Sequence, residues 1–267
     1  MLSFEVYYAR QGLPDEERMK ELEVLAAADP DKNLLAFADL YPPHAAHTDF
    51  ILVREKDKTI GAVIIYRGFS FPSVTVISSD QSLEPLLLSE VIEDIEGDFV
   101  TICPPRQEGL YGIQGEIISR RPEYQMIREG APPEPEGPAR RVMREGLAEL
   151  REFYSIIEFA FWSDVIFESG PYMWVREDEK VVAAGGVHFM TKDTAQLGGV
   201  MTAPDYRRRG YARSITTHLL AALSEHVDKV SLYTPVDNKA AHALYRSLGF
   251  ETVADRLMLM VRPVPFS

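Results

Sequence analysis

The chain has 267 residues, with 28 Lys or Arg against 41 Asp or Glu and a formal net charge of −13. This acidic balance argues against a nucleic-acid or anionic-membrane partner, and no apolar run approaches the roughly 20 residues that span a bilayer. A single cysteine, Cys103, excludes an intramolecular disulfide and a multi-cysteine metal site, and the N-terminal residues lack the pattern of a secretory signal, so we expect a cytoplasmic protein without a metal.

Two segments of the chain, one in each half, resemble each other. Residues 53–63 read VREKDKTIGAV and residues 175–185 read VREDEKVVAAG. Each pattern is typical of a strand, a charged hairpin turn and a second strand. A helical run over 83–95 follows in the first half. We therefore predict a tandem duplication of one α/β unit.

A proline-rich segment separates the two halves. Residues 131–140 read APPEPEGPAR, and prolines at this density exclude a helix interior or a central strand. We predict a linker over 131–140, an N-terminal domain over 1–130 and a second domain over 141–267. The alternative is a long surface loop within one domain.

Strands and helices alternate in the second half. The spacing of apolar residues predicts a helix over 141–161, a hairpin of strands 172–176 and 181–190, a strand over 195–202, a helix bearing Ile215, Leu219 and Leu223 on one face, a strand over 229–234, a helix over 238–248 and a strand over 256–261. This order predicts an α/β protein (α+β, mixed sheet) with two tandem halves, each a mixed β-sheet flanked by helices.

The strand over 195–202 leads into its helix through a basic turn with the sequence PDYRRRGYAR, residues 204–213. The first N–H groups of a helix have no internal partner, and the helix dipole adds positive charge there. Gly210 lets a ligand approach the backbone closely, and the arginines add charge, so the turn is typical of a phosphate or pyrophosphate site. A solvated basic surface is the alternative.

Two motifs in this half resemble those of one enzyme family. The pattern Arg207-x-x-Gly210-x-Ala212 resembles motif A of the GNAT superfamily of acyl-CoA-dependent N-acyltransferases. The block 232–250, in which Asn238 and Tyr245 lie at matching positions, resembles motif B of the same family. The resemblance covers about residues 141–264 and is weak in the first half, where no such turn follows the hairpin. This arrangement is similar to the glycine N-acyltransferase-like group, in which a degenerate half precedes an active one.

The resemblance implies acetyl-CoA as co-substrate and specific roles along the two motifs. Backbone groups of Val200 and Thr202 would hold the pantetheine arm, Asn238 would contact it, and Tyr245 would protonate the departing thiolate. The implied cofactor-binding residues are Val200, Met201, Thr202, Arg207, Arg208, Arg209, Gly210, Tyr211, Ala212, Arg213 and Asn238.

Several residues are candidates for the general base. Some family members use a Glu at the position of Gln196, which cannot accept a proton usefully. His188 is the best candidate by residue type, although a structural histidine is an equal alternative. The carboxylates of Glu168, Glu177 and Asp164 lie nearby in sequence only. A backbone N–H, that of Val200, is a candidate donor to the thioester oxygen.

The sequence thus predicts an N-acetyltransferase that transfers the acetyl group of acetyl-CoA directly to a primary amine of a small metabolite, an amino acid or a protein. We expect a monomer or homodimer. The alternatives are a non-catalytic acyl-CoA sensor or scaffold, and a nucleotide-phosphate site unrelated to CoA.

Overall fold

The computed structural model describes residues 2–92 and 95–264. They form two compact units, one reaching to Glu123 and including the C-terminal segment from Asp255, the other Tyr124–Ala254. The division differs from the boundaries expected from the sequence, because residues 131–140 lie inside the second unit and the last strand belongs mainly to the first. No helix among the described residues is long and apolar enough to cross a membrane.

The elements of the first unit are β1 (Leu2–Tyr7), α1 (Glu16–Ala27), α2 (Leu34–Asp39), β2 (Thr48–Glu55), β3 (Lys58–Tyr66), β4 (Ser73–Ser78), α3 (Glu84–Ser89), β5 (Phe99–Cys103) and α4 (Glu108–Gln114). The strand β6 (Gly115–Glu129) runs from the first unit into the second. The second unit continues with β7 (Arg140–Arg141), α5 (Leu147–Ile156), α6 (Asp164–Phe167), β8 (Tyr172–Glu177), β9 (Lys180–Met190), β10 (Thr194–Thr202), α7 (Tyr211–Leu223), β11 (Lys229–Pro235) and α8 (Lys239–Ser247). The strand β12 (Glu251–Pro263) follows α8.

The sheet of the first unit is buried on both faces. Strands β1 to β4 are antiparallel neighbours, β5 is parallel to β4, and β12 is antiparallel to β5. Successive residues of a strand point to opposite faces. Accordingly, Phe50 packs in one cluster with Leu22 of α1, and Ile51 packs in the other with Leu87 of α3.

The second unit contains a mixed sheet with the strand order β6-β11-β10-β9-β8-β7. Strands β7 to β10 are antiparallel, and β11 is parallel to β10. The predicted apolar face of α7 is confirmed, because Ile215, Leu219 and Leu223 are fully buried in one cluster with Leu197 of β10. The α/β class with mixed sheets is therefore confirmed.

Both predicted hairpins form, and they share an irregularity. Hairpin β2–β3 shifts register between Val53 and Arg54, and hairpin β8–β9 shifts between Val175 and Arg176. These residues occupy corresponding positions in the two similar sequence segments. A β-bulge at the same place in both halves is the structural counterpart of the repeat.

Three segments differ from the sequence prediction. The helix expected over 141–161 covers only α5, because Arg140–Arg141 pairs with β8 and Glu158 takes a positive φ of 53° after the helix. Of the helical run 83–95, α3 covers Glu84–Ser89, and residues 93–94 lie outside the described part. The proline-rich segment packs along α7, where the buried Ala139 donates its N–H to Ser214 Oγ at 2.9 Å.

Candidate active site

The basic turn between β10 and α7 has two residues in the left-handed region. Arg208 has a φ of 65° and Gly210, the N-cap of α7, a φ of 82°. Gly210 has no side chain to cap the helix, and the first i→i−4 bond runs from Ser214 N to Gly210 O at 3.0 Å. The N–H groups of Tyr211, Ala212 and Arg213 therefore have no intrahelical acceptor, and the positive end of the helix dipole lies beside them.

A cavity of about 560 Å³ adjoins this turn. It is lined by Val200, Met201, Thr202, Tyr206, Arg207, Arg208, Gly210, Tyr211, Ala212, Arg213, Asn238, Ala240, Ala241, Leu244 and Tyr245. The structure thus brings together every cofactor-binding residue predicted from the sequence except Arg209, and it adds Tyr245. A helix N-terminus, cationic side chains and a buried phenol share one concave space.

The C-terminal end of β10, which leads into α7, diverges from the neighbouring strand β11. The parallel pairing with β11 runs from Thr194 to Leu197 and, within the described residues, goes no further. On the other edge, the register with β9 shifts between Gly198 and Met201, and Gly199 has a φ of 59°. This bulge and the diverging strands leave the backbone of Val200 and Thr202 without a partner on β11, as an extended ligand would require.

The four arginines of the turn have different environments. Arg208 is exposed and makes no ion pair or hydrogen bond to any residue that the structure describes. Arg207 Nε donates to Thr202 O at 3.3 Å, and Arg213 pairs with Glu136 and donates to Ser247 Oγ at 2.8 Å.

Arg209 is the exception to the predicted set. Its guanidinium forms an ion pair with Glu177 at 3.1 Å and lies 5.0 Å from the centre of the Tyr206 ring. It does not line the cavity. Successive side chains of this irregular turn point in different directions. Of the three consecutive arginines, only Arg207 and Arg208 therefore line the cavity.

Tyr245 lies in α8 with its side chain buried. Asn238 caps this helix, because its Oδ1 accepts from the Ala241 N–H at 3.1 Å, and the Tyr245 ring packs edge-on against Phe250 with centroids 5.6 Å apart. Burial raises the pKa of Tyr245 to about 12. The phenol is therefore protonated at neutral pH and is able to donate a proton to a leaving group.

His188 lies on β9, outside the lining of the cavity. Its half-buried ring packs against the backbone of Gly198, because a Cβ added there would lie 2.2 Å from His188 Cε1. The centre of the His188 ring lies 5.9 Å from the centre of the Phe159 ring. The ring therefore lies next to the bulge of β10. Gln196, at the position where the resemblance implies a Glu in some family members, is buried on β10.

The three carboxylates that lie nearby in sequence are all engaged elsewhere. Glu177 pairs with Arg209 at 3.1 Å, Glu168 with Arg144 at 3.5 Å, and Asp164 with Arg151 at 2.7 Å. None of them lines the cavity. Cys103 is buried, and burial raises the pKa of its thiol to about 12, which fits a structural role and not that of a nucleophile.

Two residues of the site carry no recognisable sequence signal. The Tyr154 hydroxyl donates to Gly199 O at 2.8 Å, a bond that joins residues 45 apart in the chain. Glu136, in the proline-rich segment, pairs with Arg213, 77 residues away. Both contacts depend on long-range packing, and the local pattern around each residue is ordinary.

The corresponding turn of the first unit has a different chemistry. There β4 leads to Asp80 and then to α3, whose first residue is the buried Glu84. The Glu84 carboxylate is held by Lys32 at 3.3 Å and by Gln107 at 2.7 Å. A carboxylate at the start of this short helix occupies the place where the second unit presents cations, so this turn, as far as its residues are described, does not form an equivalent anion site.

Comparison with known proteins supports the expected family. Residues 138–250 match the family described as Acetyltransferase (GNAT) family. A stretch of 76 residues, 28% of this chain, is 36% identical to the ribosomal protein bS18-alanine N-acetyltransferase of Escherichia coli strain K12, of which it covers 51%. The chain therefore spans about half the length of this curated relative.

Two solved structures resemble the whole chain. A tandem GNAT protein from the clavulanic acid biosynthesis pathway superposes with a TM-score of 0.66, 14% identity and 100% coverage of both chains. A Drosophila protein gives a TM-score of 0.70 at 15% identity, covering 99% of each chain. At these identities the likeness shows the fold, and it agrees with the predicted tandem arrangement. Residues 138–250 of this chain, which match the GNAT acetyltransferase family, carry both motifs and the cavity.

Proposed function

We propose that this chain is an N-acetyltransferase that transfers the acetyl group of acetyl-CoA directly to a primary amine. One observation carries the proposal. The open N–H groups of α7, the unpaired backbone edge of β10 and the protonated Tyr245 phenol all border a single cavity of about 560 Å³. These are the three features that a pyrophosphate, an extended pantetheine arm and a thiolate leaving group need.

In the proposed binding mode, the first turn of α7 and Arg208 hold the pyrophosphate. Anions bind at helix N-termini because uncompensated N–H groups and the helix dipole act together. The backbone of Val200 and Thr202 bonds the pantetheine arm as an added strand would, with Asn238 opposite. This arrangement directs the thioester along β10 towards the bulge at Gly199.

The proposed reaction needs no covalent intermediate on the enzyme. The acceptor nitrogen forms a bond to the thioester carbon, and the Val200 N–H donates to the oxygen on which negative charge develops. The C–S bond then breaks, and Tyr245 transfers its proton to the thiolate. The proton lost by the amine goes to a base.

We propose His188 as that base, acting directly or through a water molecule. Its ring lies at Gly198, one residue before the bulge, and the imidazole is a suitable acceptor near neutral pH. The test is the pH dependence of kcat/KM. We expect His188→Gln to abolish the acidic limb of the profile, whereas an unchanged limb would assign the base to another group.

Gln196 favours a second candidate function, a non-catalytic acyl-CoA sensor or scaffold. A buried amide at this position is unable to accept a proton from the acceptor. Both candidates require acetyl-CoA binding, and only the enzyme releases CoA thiol when amines are added.

The acceptor is proposed as a class, namely a primary amine of a metabolite, an amino acid or a protein. The name of the Escherichia coli relative, an alanine N-acetyltransferase of a ribosomal protein, supports the inclusion of peptides with an N-terminal alanine. We further propose a cytoplasmic monomer or homodimer without a nucleic-acid or membrane partner, in line with the acidic composition.

The deciding experiment is a calorimetric titration of the chain with acetyl-CoA, followed by a CoA-release assay with an amine panel. ATP serves as the control ligand for an unrelated nucleotide-phosphate site. Micromolar acetyl-CoA binding with turnover supports the enzyme, and binding without turnover supports the sensor. No binding of acetyl-CoA, longer acyl-CoAs or CoA would refute both.

A further inference from the structure

We infer that Tyr154 is a positioning residue for acetyl transfer, because its hydroxyl holds the Gly199 carbonyl and thereby directs the Val200 N–H at the thioester oxygen. The inference rests on the proposed function. It assigns a role to a residue outside both motifs, on a helix that does not line the cavity.

The hydrogen bond joins two buried and restricted groups. Tyr154 is 1% exposed, and its hydroxyl donates to Gly199 O at 2.8 Å. Gly199 has a φ of 59°, and a Cβ there would lie 2.9 Å from the Tyr154 hydroxyl oxygen and 3.1 Å from Phe159 Cε1. Only glycine accommodates both the backbone angle and the close approach of the two rings.

The bond fixes the orientation of a whole peptide group. In a trans peptide, the C=O of one residue and the N–H of the next are antiparallel. Since the Gly199 carbonyl points to Tyr154, the Val200 N–H points away from it. Val200 itself lines the cavity, and neither Gly199 nor Val200 has a partner in the described strand registers. A peptide outside the regular register has more freedom to rotate, and this bond restricts it.

Packing holds the Tyr154 ring independently of its hydroxyl. The ring stacks on Trp162 with centroids 4.8 Å apart, and it contacts Phe159 at 5.3 Å and Phe153 at 5.4 Å. Burial raises the pKa of Tyr154, so the hydroxyl remains a neutral donor. The variant Tyr154→Phe therefore retains the packing and removes only the bond to Gly199.

The test compares the affinities of acetyl-CoA and CoA by calorimetry in the wild type and in Tyr154→Phe. Only acetyl-CoA carries the carbonyl oxygen that the Val200 N–H would meet. We expect the acetyl-CoA to CoA affinity ratio to fall by about three- to tenfold, with CoA affinity itself unchanged. With an amine acceptor, we expect kcat to fall by about 10- to 100-fold at constant KM.

Tyr111→Phe is the matched control. Tyr111 is also 1% exposed, and its hydroxyl is hydrogen-bonded to Thr101 Oγ1 at 3.1 Å in the first unit. We expect this variant to lose thermal stability and to keep the wild-type affinity ratio. A ratio that falls equally in both variants would show a general loss of stability and overturn the inference.

Two further outcomes separate the inference from the proposed function. If the wild type binds acetyl-CoA and Tyr154→Phe keeps the same acetyl-CoA to CoA affinity ratio, the inference alone is overturned. If the wild type does not bind acetyl-CoA, the inference and the proposed function are both overturned. If Tyr154→Phe does not fold, the amide proton of Val200 in the wild type decides by NMR. We expect it to shift downfield with acetyl-CoA and not with CoA, and equal shifts would overturn the inference.

Discussion

The substitution Gly210→Ala separates ligand binding from backbone strain at the centre of the site. Gly210 has a φ of 82°, and no heavy atom lies within 4 Å of a Cβ built there. The methyl group therefore meets no steric obstacle within the protein, and its cost is the left-handed conformation, about 1–2 kcal/mol. We expect thermal unfolding to begin about 2–8 °C lower than in the wild type.

The effect on binding has a different origin. A phosphate held by the N–H groups of Tyr211 and Ala212 would occupy the space into which the new methyl group projects. Losing one charge-assisted hydrogen bond costs about 1.5–3 kcal/mol, which corresponds to acetyl-CoA binding about 10- to 150-fold weaker. Calorimetry at fixed ionic strength measures this change, because screening by salt alters anion binding.

Gly249→Ala is the control for strain. Gly249 follows α8 with a φ of 84°, and it does not line the cavity. The atom nearest to a Cβ added at Gly249 is Arg128 Nε, at 3.5 Å. We expect the same loss of stability with wild-type acetyl-CoA affinity. Equal affinity losses in the two variants, or none in Gly210→Ala, would refute a phosphate site at this turn.

Three other substitutions test the remaining parts of the site. Tyr245→Phe should lower kcat by about 10²- to 10⁴-fold while acetyl-CoA affinity stays the same, since only the proton donor is lost. Because burial raises the pKa of Tyr245 to about 12, deprotonation of this residue should not lower the wild-type rate until the pH nears that value. Arg208→Ala should weaken acetyl-CoA binding by about two- to fivefold, and Arg209→Ala should barely change it, because Glu177 already holds Arg209. Glu136→Gln should strengthen binding by about two- to fivefold, since Arg213 is then released for the ligand.

Each of these expectations has an opposing result. Full activity of Tyr245→Phe would assign the proton transfer to solvent. Equal losses in the two arginine variants would contradict the separate environments of Arg208 and Arg209. Weaker binding by Glu136→Gln would show that its ion pair with Arg213 orders the site and does not compete with the ligand.

The local features of the site follow from short stretches of sequence. A strand, a basic turn with Gly210 and an amphipathic helix require only neighbouring residues, because the apolar spacing and the glycine conformation act within about ten positions. The same holds for α8, whose cap Asn238 and buried Tyr245 belong to one helix, and for the two hairpins. These elements were predictable, and the structure has them where the sequence indicated.

Contacts between distant segments decided the features of the site that the sequence did not predict. The proline-rich segment resembles a linker, yet Ala139 bonds to Ser214, 75 residues away, so it is part of the second unit. The sequence predicts equal roles for three consecutive arginines, but an ion pair from β8 removes Arg209 from the cavity. The Tyr154 bond to Gly199, likewise, depends on how α5 packs on the sheet. Sequence therefore determined which elements form and which turn carries the candidate anion site. The tertiary structure decided which side chains reach that point, because a side chain's direction depends on partners that local propensity does not encode.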